Sequence, residues 1–310
     1  MPSWDYDLII VGGGPAGLTA GIYAGRARLK TLLLERLIHG GQVMTADLVE
    51  NYPGFPEGIS GFELSDRMHK QAKRFGLEFQ LAQVQGLEPG PPHHKLILED
   101  RQLTAGAIII ASGASYRRLG VPGEEDLTGK GVSYCATCDG ALYRGHTIAV
   151  VGGGDTALTD TLFLTRFAAK IHLIHRRDAF RGEKFLQEQI LAQEKVRIHW
   201  DTVVDKIQGT QAVEALETRN VKTGERLTLP VTGVFIFVGI TPNTAWLKGR
   251  VPADEWGFLF TDVNMATTIP GIFAAGDVRS KLLRQISTAV GDGALAAFAA
   301  ENYLADHYQR

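Results

Sequence analysis

The same strand, glycine turn, helix and strand pattern occurs twice in this chain, and the repeat constrains the fold more than any other feature. The first copy starts with the hydrophobic run Tyr6–Val11, continues through Gly-Gly-Gly-Pro-Ala-Gly at 12–17 and ends at Glu35. The second copy starts with His146–Val151, continues through Gly-Gly-Gly-Asp-Thr-Ala at 152–157 and ends at His175. Each copy predicts a βαβ unit of the kind that binds dinucleotides.

The spacing of the copies predicts two domains, because they begin about 140 residues apart in a chain of 310. Further hydrophobic runs predict buried strands, and a long apolar, Ala-rich stretch predicts a C-terminal helix interrupted near its start by Gly291-Asp292-Gly293. The predicted strands are Ala107–Ala111, Val234–Val238 and Gly271–Ala275, and the predicted helix runs from Ile286 to about His307. Strands that alternate with helices indicate an α/β fold.

Composition excludes several other classes of protein. Hydrophobic residues make up 45%, charged residues 21%, and the net charge is −2, which is typical of a globular protein and favours neither nucleic acid nor an acidic membrane as a partner. No apolar run reaches the roughly 18 residues of a membrane-spanning helix, and the N-terminus lacks the pattern of a signal peptide. We therefore expect a cytoplasmic protein.

The first glycine turn predicts a nucleotide site. Gly12 and Gly14 leave room for a pyrophosphate to approach the backbone, and Glu35 can accept hydrogen bonds from ribose hydroxyls. The motif alone does not distinguish FAD from a nicotinamide. Its N-terminal position and the later Gly276-Asp277 pair favour FAD, because an aspartate at a strand end can bind the ribityl chain. Asp277 can also be interpreted as a simple helix cap or turn residue.

The second glycine turn predicts NADPH. Its second strand ends in His-Arg-Arg-Asp-Ala-Phe-Arg at 175–181, where a carboxylate would favour the free 2′-hydroxyl of NADH. Arginines favour a 2′-phosphate, which a guanidinium binds with paired hydrogen bonds. The alternative is a solvated basic patch without a ligand.

Cys135 and Cys138 are the two cysteines of the chain and lie three positions apart. A zinc site would need about four ligands, and His146, His172 and His175 lack a recognisable ligand spacing. A stabilising disulfide is disfavoured because so short a loop gives the smallest gain in entropy. A redox pair fits best, with one thiolate attacking an external disulfide and the other resolving the mixed disulfide. Asp139 is a candidate proton donor, or else a turn residue before Gly140.

Together these motifs resemble the small bacterial-type NADPH–thioredoxin reductases, over essentially the whole chain. The resemblance rests on seven segments in the expected order: Gly-Gly-Gly-Pro-Ala-Gly at 12–17, Gly40-Gly41-Gln42, Glu50-Asn51-Tyr52-Pro53-Gly54, Cys-Ala-Thr-Cys-Asp-Gly at 135–140, His-Arg-Arg-Asp-Ala-Phe-Arg at 175–181, Gly276-Asp277-Val278 and Arg284-Gln285-Ile286. It implies catalytic roles for Cys135, Cys138 and Asp139, and no metal. The implied FAD contacts are Gly12, Gly14, Pro15, Ala16, Glu35, Gly41, Gln42, Asn51, Gly113, Gly276, Asp277, Arg284, Gln285 and Ile286. The implied NADPH contacts are Gly154, Asp155, Thr156, His175, Arg176, Arg177, Arg181 and Ile240.

The resemblance also implies an architecture and a reaction. Two doubly wound, Rossmann-like domains are expected, with an NADPH domain at 119–242 inserted into an FAD domain made of 1–118 and 243–310. Electrons would pass from NADPH through FAD to the cysteine pair and then to thioredoxin, with Cys138 facing the flavin and Cys135 attacking thioredoxin. A homodimer is expected, and rotation of the domains about hinges near Leu119 and Thr241-Pro242 would separate the half-reactions.

Other functions remain open at this point. The helix after the second glycine turn reads Ala-Leu-Thr-Asp-Thr at 157–161, where the family commonly carries two consecutive glutamates, and this departure leaves Thr159 in the region near the nicotinamide. The same disulfide chemistry with ferredoxin or NADH as donor is one alternative, although relatives that use ferredoxin lose the arginines. A dithiol oxidase that uses oxygen is another, and a nucleotide-binding protein with a vestigial cysteine pair is a third. A ferredoxin–NADP reductase would need no cysteine pair.

Overall fold

Two units make up the fold. This computed structural model describes residues 4–46, 48–90 and 93–308; the described residues up to 115 form the first unit together with those from 241 onward, and residues 116–240 form the second. The second unit is one continuous insertion between the two segments of the first. Each unit holds one of the two glycine turns, in a mixed α/β arrangement with parallel sheets, which confirms the predicted fold class.

The first unit begins with six strands, two helices and the crossing strand to the second unit. They are β1 Tyr6–Val11, α1 Pro15–Arg26, β2 Thr31–Glu35, α2 Gly61–Arg74, β3 Glu78–Leu81, β4 Gly86–Glu88, β5 His94–Ile97, β6 Gln102–Ile110 and β7 Ala114–Tyr116. The second unit contains β8 Val132–Ser133, α3 Ala136–Asp139, β9 Thr147–Gly152, α4 Asp155–Leu164, β10 Lys170–Ile174, α5 Lys184–Leu191, β11 Val196–His199, β12 Thr202–Gly209, β13 Val213–Asn220, β14 Arg226–Pro230 and β15 Gly233–Phe237. The chain returns through β16 Ile240–Pro242 and ends with β17 Ile272–Ala274 and α6 Ile286–Tyr308.

The sheet of the first unit has the order β3-β2-β1-β6, with these four strands parallel. One half of β6 pairs with the antiparallel β5, and the other half pairs with the parallel β17. This double pairing explains why β6 begins at Gln102, five residues before the predicted start, because the added residues hydrogen-bond to β5. β1 lies inside the sheet, so the glycine turn that follows it opens at the carboxyl edge, where ligands of such sheets bind.

The sheet of the second unit has the order β11-β10-β9-β15-β8 and is parallel throughout. A separate antiparallel sheet, β12-β13-β14, completes this unit. The strand that leads into the second glycine turn, β9, lies between β10 and β15, so the chain winds in both directions from it. This is the switch point at which doubly wound sheets form a binding crevice.

The central strands are hydrophobic without alternation because both faces of the sheet are covered. In β1, Leu8 and Ile10 pack in the core on the side of α1 and α6, whereas Ile9 and Val11 pack in a second core on the opposite face. All four are buried. Within the described residues, no helix combines the length and the apolar character needed to cross a membrane.

Three helix boundaries differ from the prediction. Helix α1 ends at Arg26 because Arg28 adopts a left-handed conformation (φ 61°), and α4 ends at Leu164 rather than near Phe167. The C-terminal helix is not interrupted at Gly291-Asp292-Gly293 but runs continuously from Ile286 to Tyr308. Gly293 has a packing role instead, since a side chain there would overlap the carbonyl oxygen of Ala16 in α1.

Candidate functional site

The two cysteines form a disulfide bond in a short helical turn. Cys135 and Cys138 have Cα atoms 5.3 Å apart, and the backbone N–H of Cys138 donates to Cys135 Sγ at 3.2 Å. Both residues are half-buried, and the turn follows strand β8 directly. Within the described residues, no three His, Cys, Asp or Glu side chains cluster closely enough to hold a metal ion. The spacing therefore brings the two sulfurs into a bond with each other, as a redox pair requires.

The Ser133 side chain holds this turn through two hydrogen bonds. Its buried hydroxyl donates to the Asp139 carboxylate at 2.6 Å and accepts from the backbone N–H of Cys135 at 3.1 Å. The Asp139 side chain is thereby fixed in the turn that contains the disulfide. Sequence reasoning missed Ser133, although its position two residues before the first cysteine was visible. The role of Asp139 as a proton donor stays a prediction.

A buried carboxylate joins the start of the second unit to the residue that precedes the cysteine turn. Glu124 is 2% exposed and accepts from the backbone N–H groups of Leu119 (2.9 Å) and Gly120 (2.7 Å) and from the Tyr134 hydroxyl (2.8 Å). The Tyr134 ring stacks on Tyr116, with centroids 5.2 Å apart. Burial, together with the hydrogen bond to Glu124, raises the pKa of Tyr134, so the phenol remains a donor. No sequence motif indicated this arrangement.

The first glycine turn has the geometry of a pyrophosphate site. Gly12 has φ 114° and lies so close to Ala111 that no side chain fits, whereas the space beside Gly14 is open. One Glu35 carboxylate oxygen accepts from the backbone N–H of Gly13 at 2.7 Å, which holds this acid at the turn. Gly41 lies against Gly14, since a Cβ at Gly41 would be 3.3 Å from the Gly14 Cα.

The remaining predicted contacts of the first unit lie around this turn or on the C-terminal segment. Pro15 and Ala16 begin α1, and a Cβ on Gly276 would lie 2.9 Å from that of Ala16. The Gln42 side-chain amide donates to the Ala114 carbonyl, and the Gly113 carbonyl accepts from Asn243 N–H at 2.9 Å. Further along, Asn51 Nδ2 donates to Gln285 Oε1 at 3.1 Å, the Arg284 guanidinium stacks 4.1 Å from the Phe258 ring centroid, and Ile286 begins α6.

Asp277 provides the test of whether this surface suits a flavin nucleotide. Its Oδ1 atom is buried, and the best-placed donor among the described residues, Lys281 Nζ, lies 3.5 Å away. Burial raises the pKa of the Asp277 carboxyl, and the nearby charges of Lys281 and Arg284 offset this only in part. A ligand hydroxyl would supply the missing donor. The open glycine turn, Glu35 and Asp277 thus fit the pyrophosphate, ribose and ribityl groups of FAD.

An ion-pair network of Asp292, Arg279 and Lys281 lies next to Asp277. Asp292 of α6 lies 2.9 Å from Arg279 Nη1 and 3.0 Å from Lys281 Nζ, and it also accepts from the backbone N–H of Gly276. The side chains of Asp292, Arg279 and Lys281 are each between 11% and 13% exposed. Sequence reasoning treated Asp292 as part of a helix break and missed this network.

The Asp292→Ala substitution is expected to release the flavin and to destabilise the first unit. It would leave the largely buried Arg279 without a carboxylate partner among the described residues and Lys281 with Asp277 alone, at 3.5 Å, and breaking a buried ion pair typically costs about 3–5 kcal/mol. We expect a fall in the thermal midpoint of several degrees and a lower flavin content after gel filtration. Asp306→Ala, at an exposed position of the same helix, is the control and should change neither. An unchanged midpoint for Asp292→Ala would show that the network is not stabilising.

The second glycine turn borders a cavity of about 560 Å³ within the second unit. No atom would obstruct a side chain at Gly154, so this side of the turn is open to a ligand. Of the predicted nucleotide contacts, seven line the cavity: Gly154, Asp155, Thr156, His175, Arg176, Arg181 and Ile240. Arg177 is exposed on the same loop as Arg176 and Arg181. The volume, the bare glycine turn and three arginines fit a dinucleotide that carries a 2′-phosphate.

His175 is placed differently from the arginines beside it. It is 5% exposed; its Nδ1 lies 3.0 Å from the Gly152 carbonyl oxygen and its Nε2 lies 3.0 Å from that of Ala179. The ring fills the space that a side chain on Gly153 would need. Both ring nitrogens therefore contact the backbone of this chain.

Thr159 and Asp160 follow the second turn on α4. Thr159 is exposed, whereas Asp160 is half-buried, and burial raises the pKa of Asp160 to about 6. A carboxyl group with a raised folded-state pKa stabilises the fold below its unfolded pKa of about 3.9 and loses that contribution as the pH rises through 6. Asp160 therefore destabilises the protein at neutral pH.

The Asp160→Asn substitution is accordingly expected to raise the thermal midpoint at pH 8 by a few degrees. The gain in the free energy of unfolding has an upper limit of about 3 kcal/mol, since burial raises the pKa of Asp160 to about 6. The gain should shrink between pH 8 and pH 5, because the native carboxyl takes up its proton there. Differential scanning calorimetry across this range is the measurement, with Glu188→Gln at an exposed position of α5 as the control. A gain that is the same at every pH would contradict the assignment.

Comparison with known proteins places the chain in a family. The model of the pyridine nucleotide-disulphide oxidoreductase family matches residues 6–293, which includes both glycine turns and the cysteine pair. The chain belongs to this family. It is therefore an oxidoreductase of the group that uses FAD and a pyridine nucleotide, as the two turns and the cysteine pair predicted.

Individual relatives in this family are similar over nearly the whole length. A thioredoxin reductase of Listeria innocua is 45% identical over 300 residues, covering 96% of this chain and 94% of the relative. A thioredoxin reductase of Treponema pallidum is 43% identical, covering 97% of each chain. The crystal structure of thioredoxin reductase from Streptococcus pyogenes matches with a TM-score of 0.94 and 46% identity, covering 97% of this chain and 98% of that one. The resemblance seen in the sequence is thereby confirmed.

Proposed function

We propose that this chain is an NADPH-dependent thioredoxin reductase. The observation that carries the proposal is a Cys135–Cys138 disulfide in the same unit as a glycine turn whose cavity is lined by arginines. The curated relatives and the solved structure that carry this name support it. FAD is assigned to the first unit and NADPH to the second, because the polar groups around each turn suit those nucleotides.

When bound, NADPH would supply a hydride, and FAD would accept it and pass two electrons on to a disulfide. The residues of this chain hold the two nucleotides in place. The first glycine turn and Glu35 bind the nucleotide part of FAD, and Asp277 orients the ribityl chain. Arg176, Arg177 and Arg181 select the 2′-phosphate. The predicted boundaries, with 1–118 and 243–310 for FAD and 119–242 for NADPH, remain part of this proposal, as does the rotation of the domains.

The cysteines carry the electrons to the protein substrate. Reduction of the Cys135–Cys138 bond by two electrons and two protons gives two thiols. Cys135, as the thiolate, attacks one sulfur of the thioredoxin disulfide and forms a mixed disulfide, and the second thioredoxin sulfur leaves and takes a proton. Cys138 then attacks Cys135 Sγ, which releases the reduced thioredoxin and restores the Cys135–Cys138 bond.

Asp139 would supply the proton in this sequence. Its carboxylate is held by the Ser133 hydroxyl at 2.6 Å, in the helical turn that contains both cysteines. Because Ser133 also accepts from the Cys135 N–H, one hydroxyl orients both the acid and the attacking cysteine. Asp139 is the acid of this turn, and it would protonate the thioredoxin thiolate that leaves when the mixed disulfide forms.

An anaerobic titration of the flavin-loaded protein tests the proposal. NADPH, NADH and reduced ferredoxin are each added while the flavin absorbance is followed, and then oxidised thioredoxin is added. We expect reduction by NADPH at a much higher kcat/KM than by NADH, and reoxidation by thioredoxin. Reduction by ferredoxin alone would favour the alternative donor. In a separate aerobic assay, oxygen uptake with a small dithiol in the absence of NADPH would favour a dithiol oxidase.

We also propose that the protein is a homodimer in the cytoplasm, where reduced nicotinamide is available. Helices α1 and α6 pack together in the first unit, and each exposes large apolar side chains: Tyr23 is 49% exposed, Leu295 46% and Phe298 58%. Several exposed apolar side chains on packed helices support a contact with another protein surface. Sedimentation equilibrium should give twice the chain mass, and Phe298→Glu should lower it toward the monomer.

A further inference from the structure

The contacts of His175 are unusual for a neutral histidine. Its two ring nitrogens each lie 3.0 Å from a backbone carbonyl oxygen, that of Gly152 in the glycine turn and that of Ala179 in the arginine loop. A neutral imidazole has one N–H and one lone pair, so it can donate to only one of these oxygens. The other nitrogen then presents its lone pair to an acceptor. A protonated ring would donate to both.

The surroundings oppose that proton in the nucleotide-free protein. Burial lowers the pKa of His175 most strongly; the hydrogen bonds to the Ala179 and Gly152 carbonyls raise it in part, and the charges of Arg181 and Arg177 on the same loop lower it again, so the pKa lies below its ordinary value. From α4, the Asp155 carboxylate is occupied by the Glu183 N–H at 2.7 Å. On the remaining side, the Phe180 and Trp200 rings pack against His175, and His199 is hydrogen-bonded to His172. The ring is therefore neutral at pH 7.5.

A bound 2′-phosphate would reverse this balance. It brings close to two negative charges to the loop that carries Arg176, Arg177 and Arg181, and so offsets the repulsion that the guanidiniums exert on a further cation. The two carbonyl oxygens are already placed to accept from a protonated ring. The proton is taken from solvent, and no covalent bond changes.

We propose that binding of a 2′-phosphorylated nucleotide in this cavity is coupled to uptake of one proton by the His175 ring. The protonated ring donates to Gly152 and Ala179 together and fastens the arginine loop to the glycine turn. Two further contacts join the arginine loop to the glycine turn. The backbone N–H of Arg181 donates to the Gly153 carbonyl at 2.8 Å, and the His175 ring fills the space beside Gly153. His175 is thus a positioning residue. The inference rests on the proposed function only in that the cavity binds NADP(H).

Isothermal titration calorimetry of the oxidised, flavin-loaded protein tests this directly. NADP⁺ is titrated at pH 7.5 in buffers of different ionisation enthalpy, so that the number of protons exchanged is obtained from the slope. NAD⁺, which lacks the 2′-phosphate, is titrated in parallel. We expect uptake of a large fraction of one proton with NADP⁺ and almost none with NAD⁺. The affinity for NADP⁺ should fall by up to about tenfold per pH unit above pH 7, as a one-proton linkage requires.

The matched variants are His175→Gln, which cannot titrate, and His146→Gln, at an exposed histidine of the same unit. His175→Gln should lose the uptake and show a flatter pH profile, whereas His146→Gln should behave as the native protein. The 2′-phosphate itself releases protons on binding to arginines, with the opposite sign, and this contribution is common to all variants. Equal proton exchange in the native protein and His175→Gln would overturn the proposal.

If His175→Gln does not fold, the titrations of the native protein with NADP⁺ and NAD⁺ still test the proposal. Absence of uptake with NADP⁺, or failure of NADP⁺ and 2′,5′-ADP to bind, would also overturn the proposal. Its failure is distinguishable from that of the proposed function. Thioredoxin reduction by NADPH without proton uptake would remove only the role of His175. Uptake with NADP⁺ in a protein that does not reduce thioredoxin would remove only the choice of substrate.

Discussion

The Cys138→Ser substitution is expected to lower the rate of thioredoxin reduction by at least about 1,000-fold, because the thiol that releases thioredoxin from Cys135 is then missing and no other residue replaces it. The Cys135–Cys138 bond cannot form in the variant, so two electrons cannot be stored as a dithiol. The measurement is steady-state turnover with NADPH and thioredoxin. Flavin content and flavin reduction by NADPH are the control, since neither uses the thiols.

The same variants test the order of the two cysteines. Cys138→Ser should accumulate a mixed disulfide between Cys135 and thioredoxin, because the resolving thiol is missing. Cys135→Ser should be equally inactive but should trap no such species. Non-reducing gel electrophoresis followed by peptide mass spectrometry separates the two results. A mixed disulfide that forms only with Cys135→Ser would reverse the assignment.

The Arg176→Ala/Arg181→Ala double substitution is expected to lower kcat/KM for NADPH by about 100- to 10,000-fold. Each charge-assisted hydrogen bond to the 2′-phosphate contributes about 1.5–3 kcal/mol, and 1.4 kcal/mol corresponds to a factor of ten. Because NADH has no 2′-phosphate, its kcat/KM should change by less than about threefold. The preference between the coenzymes would then largely disappear.

Steady-state kinetics with both coenzymes measures this, and Arg226→Ala is the matched control. Arg226 is exposed on strand β14 of the same unit and lies outside the cavity. Its removal should leave both values of kcat/KM unchanged. Equal losses for NADPH and NADH in the double variant would mean that the arginines support the loop rather than recognise the phosphate.

The parts of the fold that the sequence predicted are those that depend on local pattern. Buried parallel strands such as β1 and β9 read as continuous hydrophobic runs, and the glycine turns follow them at fixed spacing. Strands with one exposed face were missed. For example, β13 has the sequence VEALETRN, and it becomes a strand because it pairs with β12 and β14 on either side. Such pairing depends on the tertiary fold rather than on the segment itself.

The candidate site shows the same division. Cys135, Cys138, Glu35 and the arginines were recognisable because motif and chemistry lie within a few residues. Asp292 was not recognisable. Its partners Arg279 and Lys281 precede α6 in the chain, and they come within reach of Asp292 only in the folded unit. His175 was predicted as a nucleotide contact from its neighbours in the chain. The direction of its ring depends on the folded positions of Gly152 and Ala179.

The hydrogen bonds of Glu124 have a consequence for amide exchange. The N–H groups of Leu119 and Gly120 belong to no helix or strand, yet both donate to a carboxylate that is 2% exposed. Their protons should exchange with deuterium slowly, at rates closer to those of a core strand than to those of a surface loop. Bending at Leu119 would break these bonds and would also loosen Tyr134, which precedes the disulfide. Leu119 was predicted as a hinge, and its N–H is therefore expected to be protected from exchange by the bond to Glu124.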